Sequence, residues 1–170
     1  MTYAYEPAKL IKRKIKQNSG GKVDKLIIVR HGDYDEYSLL NDKGIGQMEG
    51  LATKFKKMVL NKSALFLTSS ALRASESAKV LAKSLSLQFI EYKELWSDKN
   101  HFPKAKTVLE IIESHQDKVD ILIIVTHLEY AEILPVYFGK KVLCKDWRVN
   151  EIKKGQAIEI DCQKKTLSYV

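Results

Sequence analysis

Two short runs, Lys25-Leu-Ile-Ile-Val-Arg30 and Asp120-Ile-Leu-Ile-Ile-Val-Thr126, limit the folds open to this chain more than any other feature. Both are continuous, rich in β-branched residues, and lack the alternation of a strand with one wet face. Runs of this kind fit strands covered on both sides, as in the middle of an α/β sheet. Helical periodicity fills the space between them. Met48, Leu51, Phe55 and Met58 recur at helical spacing in a segment expected to be capped by Asp42 and to end near Leu60. Ala64–Thr68 reads as a strand, Leu72 to about Ser84 as a helix, and Gln88–Tyr92 as a strand. Two more helices are expected, one starting at Pro103 and ending near Ser114, the other over Glu129–Phe138. After Gly155, the alternating runs Gln156–Asp161 and Thr166–Val170 flank Cys162-Gln-Lys-Lys165 like the arms of a hairpin. The order β-α-β-α-β-α-β-α-β-β predicts an α/β fold, a three-layer α/β/α sandwich with a mostly parallel central sheet and an antiparallel C-terminal edge.

Composition narrows the class. A chain of 170 residues buries enough surface to stand without disulfide or metal staples. No apolar run approaches the roughly 20 residues of a membrane helix, and the first 22 residues lack the apolar core and cleavage site of a secretory signal. Cys144 and Cys162 form no C-x-x-C pair, and a reducing, cytoplasmic setting fits them. The net charge is +8, of which residues 1–25 carry +5. Residues 1–22 therefore read as a basic N-terminal arm, ending in the linker Gln17-Asn-Ser-Gly-Gly21, and 23–170 as the folded domain. Lys9-Leu-Ile-Lys-Arg-Lys-Ile-Lys16 suits either a helix touching an anionic partner or an arm that packs Leu10, Ile11 and Ile15 on its own domain. A nucleic-acid partner would rest on that arm alone.

Chemistry collects at two matched points. Sites in open α/β sheets form beyond the carboxyl ends of the strands. There both buried runs reach a histidine, in Arg30-His31-Gly32 and Val125-Thr126-His127, and the chain has only four histidines. It also has only four arginines beside 25 lysines. Arg30 adjoins the first histidine, and Arg73 follows the Ala64–Thr68 strand. A chain that uses lysine for generic charge keeps arginine where a planar fork is needed, as in gripping two phosphate oxygens. Taken singly, a strand-end histidine suits a structural role, and Arg73 suits the start of a surface helix. Jointly they suggest two imidazoles and two guanidiniums around one tetrahedral anion. One imidazole can attack phosphorus in line if a backbone carbonyl holds its far nitrogen, leaving the attacking nitrogen unprotonated. The other groups would neutralise the equatorial oxygens, and Gly32 would let the backbone approach the phosphate.

These residues also resemble a known family. Leu26-Ile-Ile-Val-Arg-His-Gly32 resembles the signature of the histidine phosphatase superfamily, the phosphoglycerate-mutase-like fold. Leu40-Asn-Asp-Lys-Gly44-Ile-Gly-Gln47 is similar to that family's L-T-x-x-G-x-x-Q helix start. Thr68-Ser-Ser-Ala-Leu-Arg73-Ala-Ser-Glu-Ser-Ala78 is similar to its S-x-x-x-R-A-x-x-T-A segment, with Ser77 where threonine is usual, and Val125-Thr-His127 matches its second histidine. The resemblance implies that His31 is the phosphate-accepting nucleophile and that Arg30, Arg73 and His127 bind the phosphoryl group. It implies no metal and no organic cofactor.

Two departures shape the expected substrate. The long insertion of the cofactor-dependent mutases, between the second arginine and the second histidine, is missing. So is an obvious proton donor, since Leu128 stands after His127 where acid phosphatases carry aspartate. The candidates are Glu94, Asp98, Glu129 and Asp33, with Glu94 favoured; each also suits an ordinary loop or cap carboxylate. General-acid help typically contributes 10²–10⁴-fold for a poor leaving group, and the imidazole of a phosphohistidine, which leaves readily, needs less of it. The short members that look like this chain include phosphohistidine phosphatases. A phosphorylated protein is thus the expected partner, with a small phosphorylated metabolite or a non-catalytic phospho-ligand module as the alternatives.

Overall fold

A computed structural model describes residues 23–98 and 103–170. The basic arm and His101 lie outside them. Six strands and four helices alternate as the hydrophobic pattern requires: β1 (Lys25–Arg30), α1 (Asp42–Val59), β2 (Ala64–Ser69), α2 (Leu72–Leu85), β3 (Phe89–Tyr92), α3 (Ala105–His115), β4 (Ile121–Thr126), α4 (Leu128–Phe138), β5 (Ala157–Asp161) and β6 (Thr166–Tyr169). The sheet order is β3-β2-β4-β1-β5-β6. The first four of these strands are parallel, while β5 runs antiparallel to both β1 and β6.

The unbroken apolar runs are explained by two cores, one on each face of the sheet. Leu26 and Ile28 of β1 join Leu122 and Ile124 of β4 under Val108 and Ile112 of α3 and Tyr130, Leu134 and Phe138 of α4. Their alternates, Ile27, Val29, Ile123 and Val125, meet Met48, Leu51 and Phe55 of α1 and Ala74, Ala78 and Leu81 of α2. Successive side chains of a strand point to opposite faces, so both faces demand apolar residues. Each large aliphatic buried this way contributes about 1.5–3 kcal/mol. All six residues of β4 are buried, as expected for an inner strand.

Element ends differ from the sequence reading in small ways. The cap of α1 is Asn41, whose Oδ1 accepts from the backbone N–H of Gly44 at 2.9 Å, and Asp42 is the first helical residue. An aspartate one position further in favours the helix through its charge instead of through a cap. The third helix begins at Ala105, two residues beyond Pro103. Trp147 packs on the α3/α4 core. Its ring lies against Gly139, where a Cβ would come within 2.6 Å of it.

The topology creates a crevice. From β1 the chain leaves along α1 on one face, and from the adjacent β4 it leaves along α4 on the other. Neighbouring crossovers that depart on opposite faces open a gap at the strands' carboxyl ends. Arg30 pairs with Thr126 in the register, so His31 and His127 follow at the same level.

Candidate active site

The four residues singled out by the sequence come from three strand ends. His31 follows β1 and is held there by its backbone N–H, which donates to the Thr126 carbonyl at 2.9 Å. His127 follows β4 and occupies the N-terminal cap position of α4. Arg73 lies in the first turn of α2, just after β2. Both histidines are buried, and their ring centroids are 5.2 Å apart.

Arg73 ties the two imidazoles together. Its Nε–H donates to His31 Nε2 at 3.1 Å, and an Nη2–H donates to His127 Nδ1 at 3.1 Å. An arginine only donates, so both of those ring nitrogens must present lone pairs. The protons then sit on the far nitrogens. His31 Nδ1–H donates to the Gly32 carbonyl at 2.8 Å, and His127 Nε2–H donates to Ser69 Oγ at 2.9 Å. The arrangement meets the condition set by the sequence reading: a backbone carbonyl holds the far nitrogen of His31, and the near nitrogen is unprotonated.

Electrostatics favour the same protonation state. Burial pushes the His31 imidazole down to about 4, helped by the charges of Arg73, Arg30 and Lys154 and opposed by the Gly32 hydrogen bond. His127 is pushed down to about 3, chiefly by burial and then by His31 and Arg73. Both rings are neutral near pH 7. The two guanidiniums make the site a receptor for an anion, and the inward-facing lone pairs make it a place where nitrogen can act as a nucleophile.

Arg30 is engaged differently from Arg73. Its Nη1–H donates to the Ile152 carbonyl at 2.7 Å, and its buried Nε has no hydrogen-bond partner. Its charge nonetheless reaches both histidines. Gly32 has a packing reason to be glycine: a Cβ there would lie 2.8 Å from the carbonyl oxygen of Gly44, at the start of α1. That close approach brings the helix start against the histidine loop.

Several contributors were not singled out in the sequence. Ser77 accepts from the Gly32 N–H at 3.0 Å and donates to the Arg73 carbonyl at 2.7 Å, bolting the His31–Gly32 loop to α2. Gln47 Oε1 accepts from the Asp33 N–H at 2.8 Å, tying the same loop to α1. Both residues sit in the quoted motifs, which was the available signal. Ser69 orients His127 from the end of β2. Tyr34 packs edge-on to His31 at 5.3 Å, with the Arg73 guanidinium 5.2 Å and the Lys154 ammonium 4.2 Å from its ring centroid.

The four candidate acids separate on inspection. Asp33 is held by Lys154 at 2.7 Å and Lys43 at 3.0 Å, which keep its carboxyl well below the usual range. A group so firmly ionised has no proton to give. Glu129 accepts from Ser97 Oγ at 3.0 Å. Glu94 lies in a single 3₁₀ turn, Lys93–Leu95, whose carbonyl accepts from Tyr130 Oη at 2.7 Å, and its charge acts on that phenol. Asp98 is the carboxylate whose charge acts on His127.

Among the described residues no cluster of histidine, cysteine and carboxylate side chains has the spacing to hold a metal ion, and no helix is long and apolar enough to cross a membrane.

No protein-family model matches the sequence, and no curated protein sequence does. Solved structures do match the fold. The protein histidine phosphatase SixA in complex with tungstate superposes with a TM-score of 0.67 at 16% identity, over 86% of this chain and 94% of that one. A mycobacterial glucosyl-3-phosphoglycerate phosphatase complexed with VO₃ superposes with a TM-score of 0.61 at 14% identity, over 86% and 97%. Across near-complete lengths, then, the shared property is the architecture of the sheet and its helices.

Proposed function

On the histidine phosphatase fold of this chain, we propose that the crevice between β1 and β4 hydrolyses a phosphoryl group through a covalent intermediate on His31. The observation that carries the reading is the hydrogen bond from His31 Nδ1 to the Gly32 carbonyl, which leaves Nε2 unprotonated and facing Arg73. A phosphoryl dianion accepts N–H groups more strongly than a neutral imidazole does, because both partners are charged. Its arrival therefore transfers Arg73 from the two ring nitrogens to the phosphoryl oxygens and releases the Nε2 lone pair. That lone pair forms the N–P bond as the bond to the leaving group breaks, with its electrons going to the departing atom. Arg73 and Arg30 hold the equatorial oxygens, where charge gathers, and His127 joins them once the dianion beside it draws a proton onto Nδ1. Water then attacks phospho-His31, yielding phosphate and restoring the imidazole lone pair.

The substrate is a phosphohistidine-bearing protein. Support comes from the acids: Asp33 is held ionised, and the Glu94 carboxylate makes no hydrogen bond or ion pair among the described residues. A departing imidazole tolerates that lack, whereas an alkoxide does not. Glu94 remains the donor nominated by the sequence. One observation favours the second reading, a small phosphomonoester: the charge of Asp98 acts on His127.

The test compares kcat/KM on a phosphohistidine-bearing protein, an aryl phosphate and an alkyl phosphate. Preference for the phosphoprotein is expected. Faster alkyl phosphate hydrolysis that collapses in Asp98→Asn would transfer the assignment to the small-molecule reading, and collapse in Glu94→Gln would restore Glu94 as the acid. Phosphate binding with no turnover of any of the three would make the chain a phospho-ligand module.

A further inference from the structure

Beside the histidine pocket lies a groove of about 640 Å³ that shares Arg30 with it. Its walls carry four cations, Arg30, Lys43, Lys153 and Lys154, against two carboxylates, Asp33 and Glu151. Asp33 is committed to Lys43 and Lys154 together. Arg30 spends an N–H on a neutral acceptor, the Ile152 carbonyl. Among the described residues Lys153 forms no ion pair, so the groove keeps an excess of positive charge along one wall.

The groove is continuous with the site. Arg30 and Asp33 flank the nucleophile in sequence, and Arg30 faces both the groove and the two histidines. Lys154 bridges them as well, since its ammonium lies over Tyr34, whose ring packs against His31. An anion in the groove would therefore belong to the same substrate that presents its phosphoryl group to His31.

The kind of anion follows from the kind of cation. A buried phosphate calls for rigid, desolvated forks. Here the lysines sit on flexible stems, with the side chain of Lys43 72% exposed and that of Lys154, paired with Asp33 over the Tyr34 ring, 34% exposed. Such a wall suits several carboxylates spread over a protein surface, each contributing little alone and together orienting the encounter.

We infer that this groove is a carboxylate-binding subsite, which engages acidic side chains flanking the phosphorylated residue of a protein substrate. The inference rests on the phosphoprotein reading above and adds what surrounds the phosphoryl group. It makes Lys153 and Glu151, both exposed and neither in contact with the histidines, opposite determinants of selectivity.

The experiment measures kcat and KM for a phosphohistidine-bearing protein with acidic flanking residues, for the same protein with those residues changed to amides, and for an aryl phosphate. Wild type, Lys153→Glu and Glu151→Lys are compared. In Lys153→Glu the ratio of acidic-substrate to aryl phosphate kcat/KM should fall roughly three- to ten-fold, through KM, and Glu151→Lys should raise it. The amide substrate should show neither change. Equal responses on the acidic and amide substrates, or none on either, would overturn the subsite. Binding of unphosphorylated hexaglutamate, measured by calorimetry, separates this outcome from failure of the phosphoprotein reading. If wild type leaves the phosphoprotein untouched, hexaglutamate binding that is lost in Lys153→Glu still upholds the groove, and absence of binding overturns it.

Discussion

His31 and His127 close adjacent parallel strands at the same level, yet their rings are anchored in opposite ways. His31 is tied through Nδ1 to the carbonyl of Gly32, its immediate neighbour in the chain. His127 is tied through Nε2 to Ser69, 58 residues away on another strand. Arg73 meets the remaining lone pair of each. One tautomer is therefore set by local backbone and survives most changes elsewhere. The other depends on β2 and β4 being in register. The two anchors fit the roles proposed above, since a nucleophile needs an invariant lone pair, whereas a group that binds oxygens can be adjusted.

The largest expected effect breaks the comparison at its nucleophilic side. His31→Ala should lower turnover by at least about 10⁴-fold, while His127→Ala should cost about 10²–10³-fold, the scale of losing one stabilising donor. Equal losses would mean that the rings share one role, and rapid-quench trapping of a phosphoenzyme in His127→Ala would show which of them carries phosphate. Arg73→Lys comes next, at about 10²-fold in kcat/KM, because an ammonium cannot grip two phosphoryl oxygens with one planar fork. An unchanged kcat/KM would place Arg73 outside the reaction.

Ser69→Ala sharpens the comparison further. It removes the anchor of His127 and leaves that of His31 intact, so about ten-fold is expected, the worth of one hydrogen bond. The smallest effect concerns stability. Both histidines are neutral when folded, with values near 4 and near 3, against about 6.5 when unfolded. Between those limits the unfolded chain binds more protons, so stability rises with pH up to about 6.5 and falls on acidification through 4. The melting temperature should drop by a few °C between pH 6.5 and 5.5. The slope should be shallower in His127→Asn; an identical slope would assign the titration to other groups.

Much of the architecture was legible because it is written in local pattern. Lys25–Arg30 keeps its sequence-read ends, and the helix read from Leu72 to Ser84 ends one residue later, at Leu85. A doubly covered strand needs apolar side chains at every position, and few other local structures produce that run. The cap of α1 was misplaced by one residue because Asn41 and Asp42 are both good caps, and only the backbone geometry separates them. Among the acids the sequence reading favoured Glu94, in the loop after the expected Gln88–Tyr92 strand. Sequence position says nothing of which charge each carboxylate meets.

By itself, then, the sequence determined the layers, the strand ends and the four residues gathered there, since hydrophobic period and the scarcity of arginine are local and compositional facts. The tertiary structure alone decided which ring nitrogen bears a proton, which carboxylate stays ionised and where the basic groove lies. Those properties arise between partners far apart in the chain, such as Lys154 and Asp33, separated by 121 residues. Protonation follows burial and the nearest charges, and neither exists until the sheet has closed and brought β1, β2 and β4 side by side.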